Sequence, residues 1–201
     1  MNKNPVLKKL RKWIPFADFR KLYFSIAVSA LFPAFFIASA VSLLSGPSEK
    51  TTLSEKEVQI ALNEHNRVRK DVKLPPFQWD DEIAAYSQEW ADELSRKGCR
   101  MEHRPRSGKF AQKYGENLFM GTAGYYTVKD AVTSWESEKK DYRGGPIKMD
   151  GNFSKIGHYT QIIWKSTTHV GCGKVVCRKT LIVVCNYNPP GNYVGRTPLE
   201  G

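Results

Sequence analysis

The apolar positions after residue 53 first recur at helical spacing and predict a helix that ends at about Asp71. They are Val58, Leu62, His65 and Val68. Ser54 followed by Glu57 is the capping-box pattern that begins a helix. His65 lies at the margin of this apolar stripe, so we expect it to be a packed or capping histidine rather than a ligand.

A second stretch with helical spacing follows the segment LPPFQW, which breaks the chain. Asp80 is placed to cap this helix and Gly98 to stop it. Its apolar face consists of Ile83, Tyr86, Trp90 and Leu94. Thr127 and Asp130 indicate another helix start, and this third helix is predicted to end near Tyr142.

The remaining segments are predicted to be loops and strands. Residues 99–124 are irregular and rich in Gly, Arg and Lys, and residues 144–157 are rich in Gly. Both read as loops, which is where binding sites are commonly built. From Tyr159 onward, apolar alternation and the run VVC...LIVVCNY predict strands. Tyr125 and Tyr126 either border an apolar groove or pack as ordinary surface and core residues.

The N-terminal part has the pattern of an export segment. Residues 22–45 contain no charged residue, and residues 1–21 carry seven basic residues and one acidic residue. This length is enough to cross a bilayer, and the basic flank predicts that the chain beyond it is exported. The sequence therefore predicts three parts. Residues 1–45 are a basic cytosolic segment with a signal peptide or signal anchor, residues 46–52 are a polar linker, and residues 53–201 are the folded domain. The sequence is consistent with both interpretations of residues 22–45, a cleaved signal peptide and a retained membrane anchor.

The formal net charge of +11 is unevenly distributed. After residue 21 the chain has 24 basic and 19 acidic residues, so the exported part is only mildly basic. This balance gives little reason to expect a nucleic-acid partner. A weaker alternative is a heparin-like polyanion ligand, whose binding would fall steeply with salt.

All four cysteines lie in the exported part, which predicts two disulfides. They are Cys99, Cys172, Cys177 and Cys185. Sequence alone permits three pairings. If GCGKVVC and TLIVVC form a hairpin with residues 178–179 at its tip, Cys172 lies opposite Cys185 and Cys99 is left for Cys177. Arg-Lys is not a favoured tight-turn pair, so this register is an assumption. A cysteine zinc site is not expected, because no close CxxC pair is present.

Six motifs together resemble the CAP superfamily, which contains cysteine-rich secretory proteins, insect venom antigens and plant pathogenesis-related proteins. Three are GHYTQIIW at 157–164, HVGCG at 169–173 and CNYNPPGNYVG at 185–195. Three more are NEHNRVR at 63–69, YGENL at 114–118 and WESEKKDY at 135–142. The resemblance covers roughly residues 53 to 198. It implies an α+β domain, a three-layer α-β-α sandwich, preceded here by the hydrophobic export or anchor helix.

The resemblance also implies a cleft that holds two histidines and two glutamates. The matching positions are His103, Glu116, Glu138 and His158. Glu136 is the weaker candidate for the third position, because it lies about 200° around a helix from Glu138 and only one of the two can face the cleft. Trp135 shares a face with Glu138, which favours Glu138.

Such a tetrad permits several roles, and the residues leave them open. His103 and His158 could bind zinc or another divalent cation, with the glutamates hydrogen-bonding the imidazoles. The first hypothesis is an exported, non-enzymatic protein that binds a lipid, sterol or polysaccharide beside this cleft. The alternative is a metal-dependent hydrolase with Glu116 or Glu138 as base. A purely structural His/Glu network is the third possibility.

Overall fold

The computed structural model describes residues 51–200. The predictions for residues 1–45 and most of the linker therefore lie outside the described residues. Within residues 51–200, no helix is both long and apolar enough to span a membrane. Residues 51–200 belong to one compact unit, and both core clusters and both disulfides lie within it. This part therefore carries its own core.

The described residues form four α-helices and four β-strands. The helices are α1 (Glu55–Asp71), α2 (Asp81–Arg96), α3 (Val128–Glu136) and α4 (Gly157–Ile162). The strands are β1 (Gln78–Trp79), β2 (Gly115–Thr122), β3 (His169–Cys177) and β4 (Thr180–Asn188). Short 3-10 helices cover Ser137–Lys140 and Phe153–Lys155.

The strands form one mixed sheet in the order β1-β3-β4-β2. β1 is parallel to β3, whereas β2 and β3 are both antiparallel to β4. The register places Cys177 opposite Thr180 and Cys172 opposite Cys185. The predicted hairpin register is thus confirmed.

Helices cover both faces of this sheet, which confirms the α+β class. The face toward α1, α3 and α4 buries the larger core cluster, including Val68, Trp135 and Tyr187. The face toward α2 buries a smaller cluster around Trp90 and Ile182. Because side chains alternate along each strand, β4 supplies residues to both cores, and most of its residues are buried.

Close packing of α2 on the sheet requires two glycines in β3. A Cβ atom at Gly171 would overlap the backbone of Ala84, and one at Gly173 would overlap the backbone of Gln88. The missing side chains let α2 approach the strand directly. The HVGCG motif therefore has a packing role in the sheet.

The predicted helix starts agree with the structure, and one predicted end does not. Ser54 and Glu57 form the expected capping box, and Asp80 caps α2 through the amides of residues 82 and 83. α1 ends at Asp71 as predicted. The third helix was predicted to reach Tyr142, which is wrong: α3 ends at Glu136 and a 3-10 turn follows.

Two further expectations from local pattern are wrong. Residues 115–122, expected to be loop, form strand β2, because they pair over their whole length with β4. Tyr159, expected to begin a strand, lies in helix α4, whose residues from Tyr159 to Ile162 are all buried. Thr160 and Gln161 are polar but are buried together with Tyr159 and Ile162, so polar and apolar residues do not mark two faces of α4. Tertiary packing therefore decides both segments.

Two disulfides join Cys99 to Cys177 and Cys172 to Cys185. The second lies within the β3–β4 pair and is fully buried. The first ties the segment after α2 to the tip of the β3–β4 hairpin. Each bond thereby restricts the loop or turn that it closes.

Arg69 anchors the end of α1 to the segment that follows α4. Its guanidinium donates hydrogen bonds to the carbonyl oxygens of Ile162, Trp164 and Thr167, and it lies 4.0 Å from the centroid of the Phe77 ring. Burial lowers the pKa of Arg69 to about 10. The arginine therefore stays charged at neutral pH and satisfies carbonyls that would otherwise be buried without partners.

His65 is fully buried in the larger core, as expected for a packed histidine. Its Nδ1–H donates to the carbonyl oxygen of Ala61 at 2.7 Å, and its Nε2 accepts from the Tyr187 hydroxyl at 2.9 Å. Burial lowers the pKa of His65 to about 4. The imidazole is therefore neutral in the folded protein at neutral pH.

We predict that this histidine makes the domain less stable as pH falls from about 6.5 to about 4. The unfolded chain takes up a proton near the ordinary histidine pKa, whereas folded His65 takes it up only near pH 4. The difference corresponds to roughly 3 kcal/mol of unfolding free energy over that window. Urea unfolding of residues 46–201 at several pH values measures it.

The matched control is His65→Gln, which does not titrate. It should unfold more easily at pH 7 but lose much less stability between pH 6.5 and 4.5. Equal slopes for the two proteins would show that a buried neutral His65 is not the cause.

Candidate functional site

A cleft of about 760 Å³ opens at the end of the sheet where β2 begins and β4 ends. Its walls come from the loop before β2, the start of α4 and the segment after β4. His103, Glu116 and His158 all line it. Three of the four predicted site residues therefore meet in one cavity, although they come from separate elements.

The first imidazole–carboxylate pair is His103 with Glu116. His103 Nδ1 lies 2.8 Å from Glu116 Oε1. The glutamate side chain is fully buried, while the histidine side chain is 56% exposed. Glu116 Oε1 also accepts from the amide of Arg104 at 3.0 Å, and its Oε2 accepts weakly from Asn186 Nδ2 at 3.4 Å. The carboxylate is thus fixed and holds the imidazole at the cleft surface.

The loop that carries His103 is attached to α2. Trp90 Nε1 donates to the carbonyl oxygen of Glu102 at 2.8 Å. The buried guanidinium of Arg104 donates to Glu89 Oε2 at 3.0 Å and stacks 3.6 Å from the centroid of the Tyr86 ring. These contacts on both sides of His103 explain why an irregular loop presents one defined side chain.

The second pair is His158 with Glu138. His158 Nδ1 lies 2.6 Å from Glu138 Oε1. Glu138 Oε2 accepts from the amides of His158 and Tyr159 at 2.9 and 3.0 Å. Glu138 itself lies behind His158 and outside the cleft lining. The His158 ring also stacks on Trp135, with an interplanar angle of 20°.

Glu136, the competing candidate, points to a different partner. Arg67 donates two hydrogen bonds to its carboxylate, at 2.9 and 2.5 Å. The hydrogen bond from Arg67 is the main cause that lowers the pKa of Glu136. Glu136 therefore joins α1 to α3, and Glu138 alone reaches His158.

The two pairs share one chemical arrangement. In each, a carboxylate accepts from Nδ1, which leaves Nε2 with its lone pair. Among residues 51–200, no protein group forms a hydrogen bond with Nε2 of His103 or His158. Metal-binding histidines in proteins commonly have this carboxylate–imidazole arrangement.

A buried hydrogen-bond chain connects His158 to the core. Asn117 Nδ2 donates to the carbonyl oxygen of His158 at 3.1 Å and to the Tyr187 hydroxyl at 3.0 Å. The Tyr187 hydroxyl in turn donates to His65 Nε2. Burial raises the pKa of Tyr187 well above its ordinary value, so the hydroxyl keeps its proton.

Sequence reasoning did not assign three residues that support the tetrad. They are Arg104, Asn117 and Asn186. Asn186 could have been found from its strand, since it is a polar residue at an inward position of the apolar run LIVVCNY. Asn117 and Arg104 offer no comparable signal, because their partners lie in other elements and are distant in the sequence.

The rim of the cleft combines cations with apolar groups. Arg106 and Lys113 line it, and neither forms an ion pair among residues 51–200. Met149 and Tyr193, also in the lining, are 63% and 49% exposed. The cleft can therefore contact both an anionic and an apolar group.

Comparison with known proteins decides the family. Residues 62–187 match the model of the cysteine-rich secretory protein family, CAP. The chain belongs to the CAP family. It is 38% identical to pathogenesis-related protein PR-1 of Medicago truncatula over 87% of this chain and 96% of the relative. It is 41% identical to pathogenesis-related protein 1 of Arabidopsis thaliana over 68% of this chain and 79% of the relative.

A solved structure shares the CAP fold. The crystal structure of NaASP2 with Zn²⁺ has 27% sequence identity and a TM-score of 0.61. The match covers 72% of this chain and 85% of that chain. The resemblance inferred from six sequence motifs is thus confirmed at the level of family and fold.

We predict different costs for removing charge at Glu138 and at Glu136. Glu138→Gln leaves one acceptor oxygen for three donors, so the unfolding free energy should fall by about 1–3 kcal/mol. Glu136→Gln weakens one partly exposed ion pair and should cost less than about 1 kcal/mol. Chemical unfolding of residues 46–201 measures both. Equal costs would contradict the assignment of Glu138 to the site.

Proposed function

We propose that this CAP domain is an exported, non-enzymatic binding protein. Its cleft holds a divalent cation, zinc being the first candidate, at His103 and His158, and takes a lipid, sterol or polysaccharide ligand beside it. The observation that carries this proposal is the presentation of two imidazoles, each with Nδ1 held by a carboxylate, at one cleft.

The donor set fits an exchangeable cation site better than a tight catalytic one. Catalytic zinc usually has three protein ligands and an open position. Within residues 51–200, no group of three or more His, Cys, Asp or Glu side chains is arranged to hold a metal ion. Two imidazoles would leave further positions for water or a ligand group. The presence of Zn²⁺ in the NaASP2 structure supports zinc as the first metal to test.

The lining of the cleft supports an organic ligand beside the cation. Arg106 and Lys113 would attract an anionic group, and Met149, Phe153 and Tyr193 would contact an apolar or sugar surface. A cavity of about 760 Å³ has the size of a typical small-ligand pocket. These features do not choose between lipid, sterol and polysaccharide, so all three belong in the binding screen.

The hydrolase alternative needs a carboxylate that can take a proton from water. Glu116 Oε1 already accepts from His103 and Arg104, and both oxygens of Glu138 accept hydrogen bonds. All four cysteines form disulfides, so no cysteine thiol can act as nucleophile. We therefore rank binding above hydrolysis.

Export is supported by two independent features. Residues 22–45 have the pattern of a signal peptide or anchor, and the disulfides suit an oxidising compartment. We propose that the domain acts outside the cytoplasm, either secreted or attached to the membrane.

Zinc titration by calorimetry on residues 46–201 tests the proposal. We expect saturable binding of one zinc ion that is abolished in the variant His103→Ala, His158→Ala. Glu116→Gln should weaken binding by about 10- to 100-fold, because the carboxylate orients the imidazole. His169→Ala is the matched control, since His169 lies outside the cleft lining.

Two outcomes would contradict the cation site. One is the absence of saturable binding to the wild type. The other is equal zinc binding by the His103→Ala, His158→Ala variant. If the His103→Ala, His158→Ala variant is less stable but binds zinc as the wild type does, the tetrad is a structural network and not a metal site. Hydrolysis that needs zinc and both histidines would favour the alternative function.

A further inference from the structure

The end of the sheet opposite the cleft exposes both apolar and basic side chains. Three segments meet there: the β3–β4 turn, the corner between β2 and α3, and the segment after α2. The amide of Ala123 donates to the carbonyl oxygen of Lys179 at 3.0 Å, and Cys99 is bonded to Cys177. Residues that follow these points in the chain are thereby held at one end of the domain.

Apolar side chains are exposed at this end. Tyr125 is 77% exposed, Val176 is 58% exposed and Tyr126 is 38% exposed. Tyr126 packs against Phe119, with ring centroids 5.7 Å apart, and Tyr125 packs edge-on against Tyr126 at 4.8 Å. Tyr126 thus packs on Phe119, which borders the larger core, and Tyr125 packs on Tyr126 and is the more exposed of the two. This arrangement corresponds to the second of the two expectations for the pair, ordinary packing at the surface.

Basic side chains lie at the same end of the domain. Arg100, Arg178 and Lys179 are exposed, and none of them forms an ion pair within residues 51–200. Two acidic residues of the same end are already engaged: Glu93 pairs with Arg96, and Asp130 caps α3 through Thr127. The three basic groups are therefore available to an external anion.

We propose that this hairpin-end surface, formed by Tyr125, Tyr126, Val176, Arg100, Arg178 and Lys179, docks on an anionic lipid membrane. Tyrosine rings prefer the headgroup region, where an apolar body and a polar hydroxyl are both accommodated. Arginine and lysine near such a surface are attracted by its negative potential. The combination of exposed tyrosines with unpaired cations at one end fits a lipid interface better than a site for a small ligand.

The predicted leader makes a membrane the fitting partner. Export through residues 22–45 delivers the domain at a bilayer. Thr51 and Thr52 donate hydrogen bonds to carbonyl oxygens of β3. Five linker residues, 46–50, therefore remain, and the extended length of this tether is about 18 Å at most. For an anchored domain, surface docking would strengthen the attachment that the tether provides. For a cleaved domain, docking alone would hold the domain near the membrane.

Docking by this end would leave the cleft accessible. β2 begins at Gly115 in the cleft lining and ends at Thr122 beside the hairpin turn. The two surfaces therefore lie at opposite ends of the same strand. A domain bound through its hairpin end presents the cleft to the surrounding solution, so the two binding events do not compete.

Vesicle sedimentation of residues 46–201 tests the proposal. The probes are vesicles of pure phosphatidylcholine and vesicles with about 30% phosphatidylglycerol. We expect binding only to the anionic vesicles and its loss at high salt. Arg178→Glu with Lys179→Glu should lower the partition coefficient at least about 25-fold, since each cation contributes about fivefold. Tyr125→Ser should lower it several-fold without a change in unfolding midpoint.

The matched control is Lys70→Glu with Lys165→Glu, which changes the net charge equally at the other end of the sheet. Both residues are exposed. The control variant should bind vesicles within about threefold of the wild type, because its charges lie far from the membrane relative to the screening length. Equal losses for the two double variants would overturn the proposal, and so would no binding to anionic vesicles. Retention on heparin that depends on Arg178 and Lys179, without vesicle binding, would assign the surface to a polyanion instead.

Discussion

A buried tyrosine hydroxyl has to form hydrogen bonds within the protein. In this domain, the hydroxyl of Tyr187 connects three separate elements. The hydroxyl donates to His65 in α1 and accepts from Asn117 in β2, while Tyr187 itself belongs to β4. Asn117 extends the chain to the carbonyl oxygen of His158 in α4. If any member shifted, a buried polar group would lose its partner, so the core and the cleft are fixed together.

This constraint explains how a site made from distant parts of the chain stays ordered. His158 is held by its carbonyl oxygen, its amide and its Nδ1, so only Nε2 is left to contact a ligand. His103 is held through Glu116, which is fully buried beside Arg104 and Asn186. Both glutamates therefore orient the imidazoles, and in the proposed site Nε2 of each ring is the atom left for a ligand.

Much of the fold and site could be predicted from the sequence, for identifiable reasons. Ser54 and Asp80 revealed their helix starts because capping depends on adjacent residues, and the Cys172–Cys185 register followed from a single hairpin. The tetrad positions came from the family resemblance. The choice of Glu138 over Glu136 assumed an α-helix through residue 138, although Glu138 lies in the 3-10 helix Ser137–Lys140. β2 and α4 were missed because β2 is defined by pairing with β4 and α4 by burial on every side. Asn117 and Arg104 were missed because their roles arise only from contacts between elements.

Carboxylates hold Nδ1 of His103 and His158 and leave Nε2 of each ring for a ligand. Long-range ¹H–¹⁵N NMR of the histidine rings in residues 46–201 tests this arrangement directly at pH 8. We expect both rings to carry the proton on Nδ1. Their Nε2 resonances should shift on addition of zinc, while those of His65 should not. Protonation of either ring on Nε2, or a zinc response confined to other histidines, would contradict it.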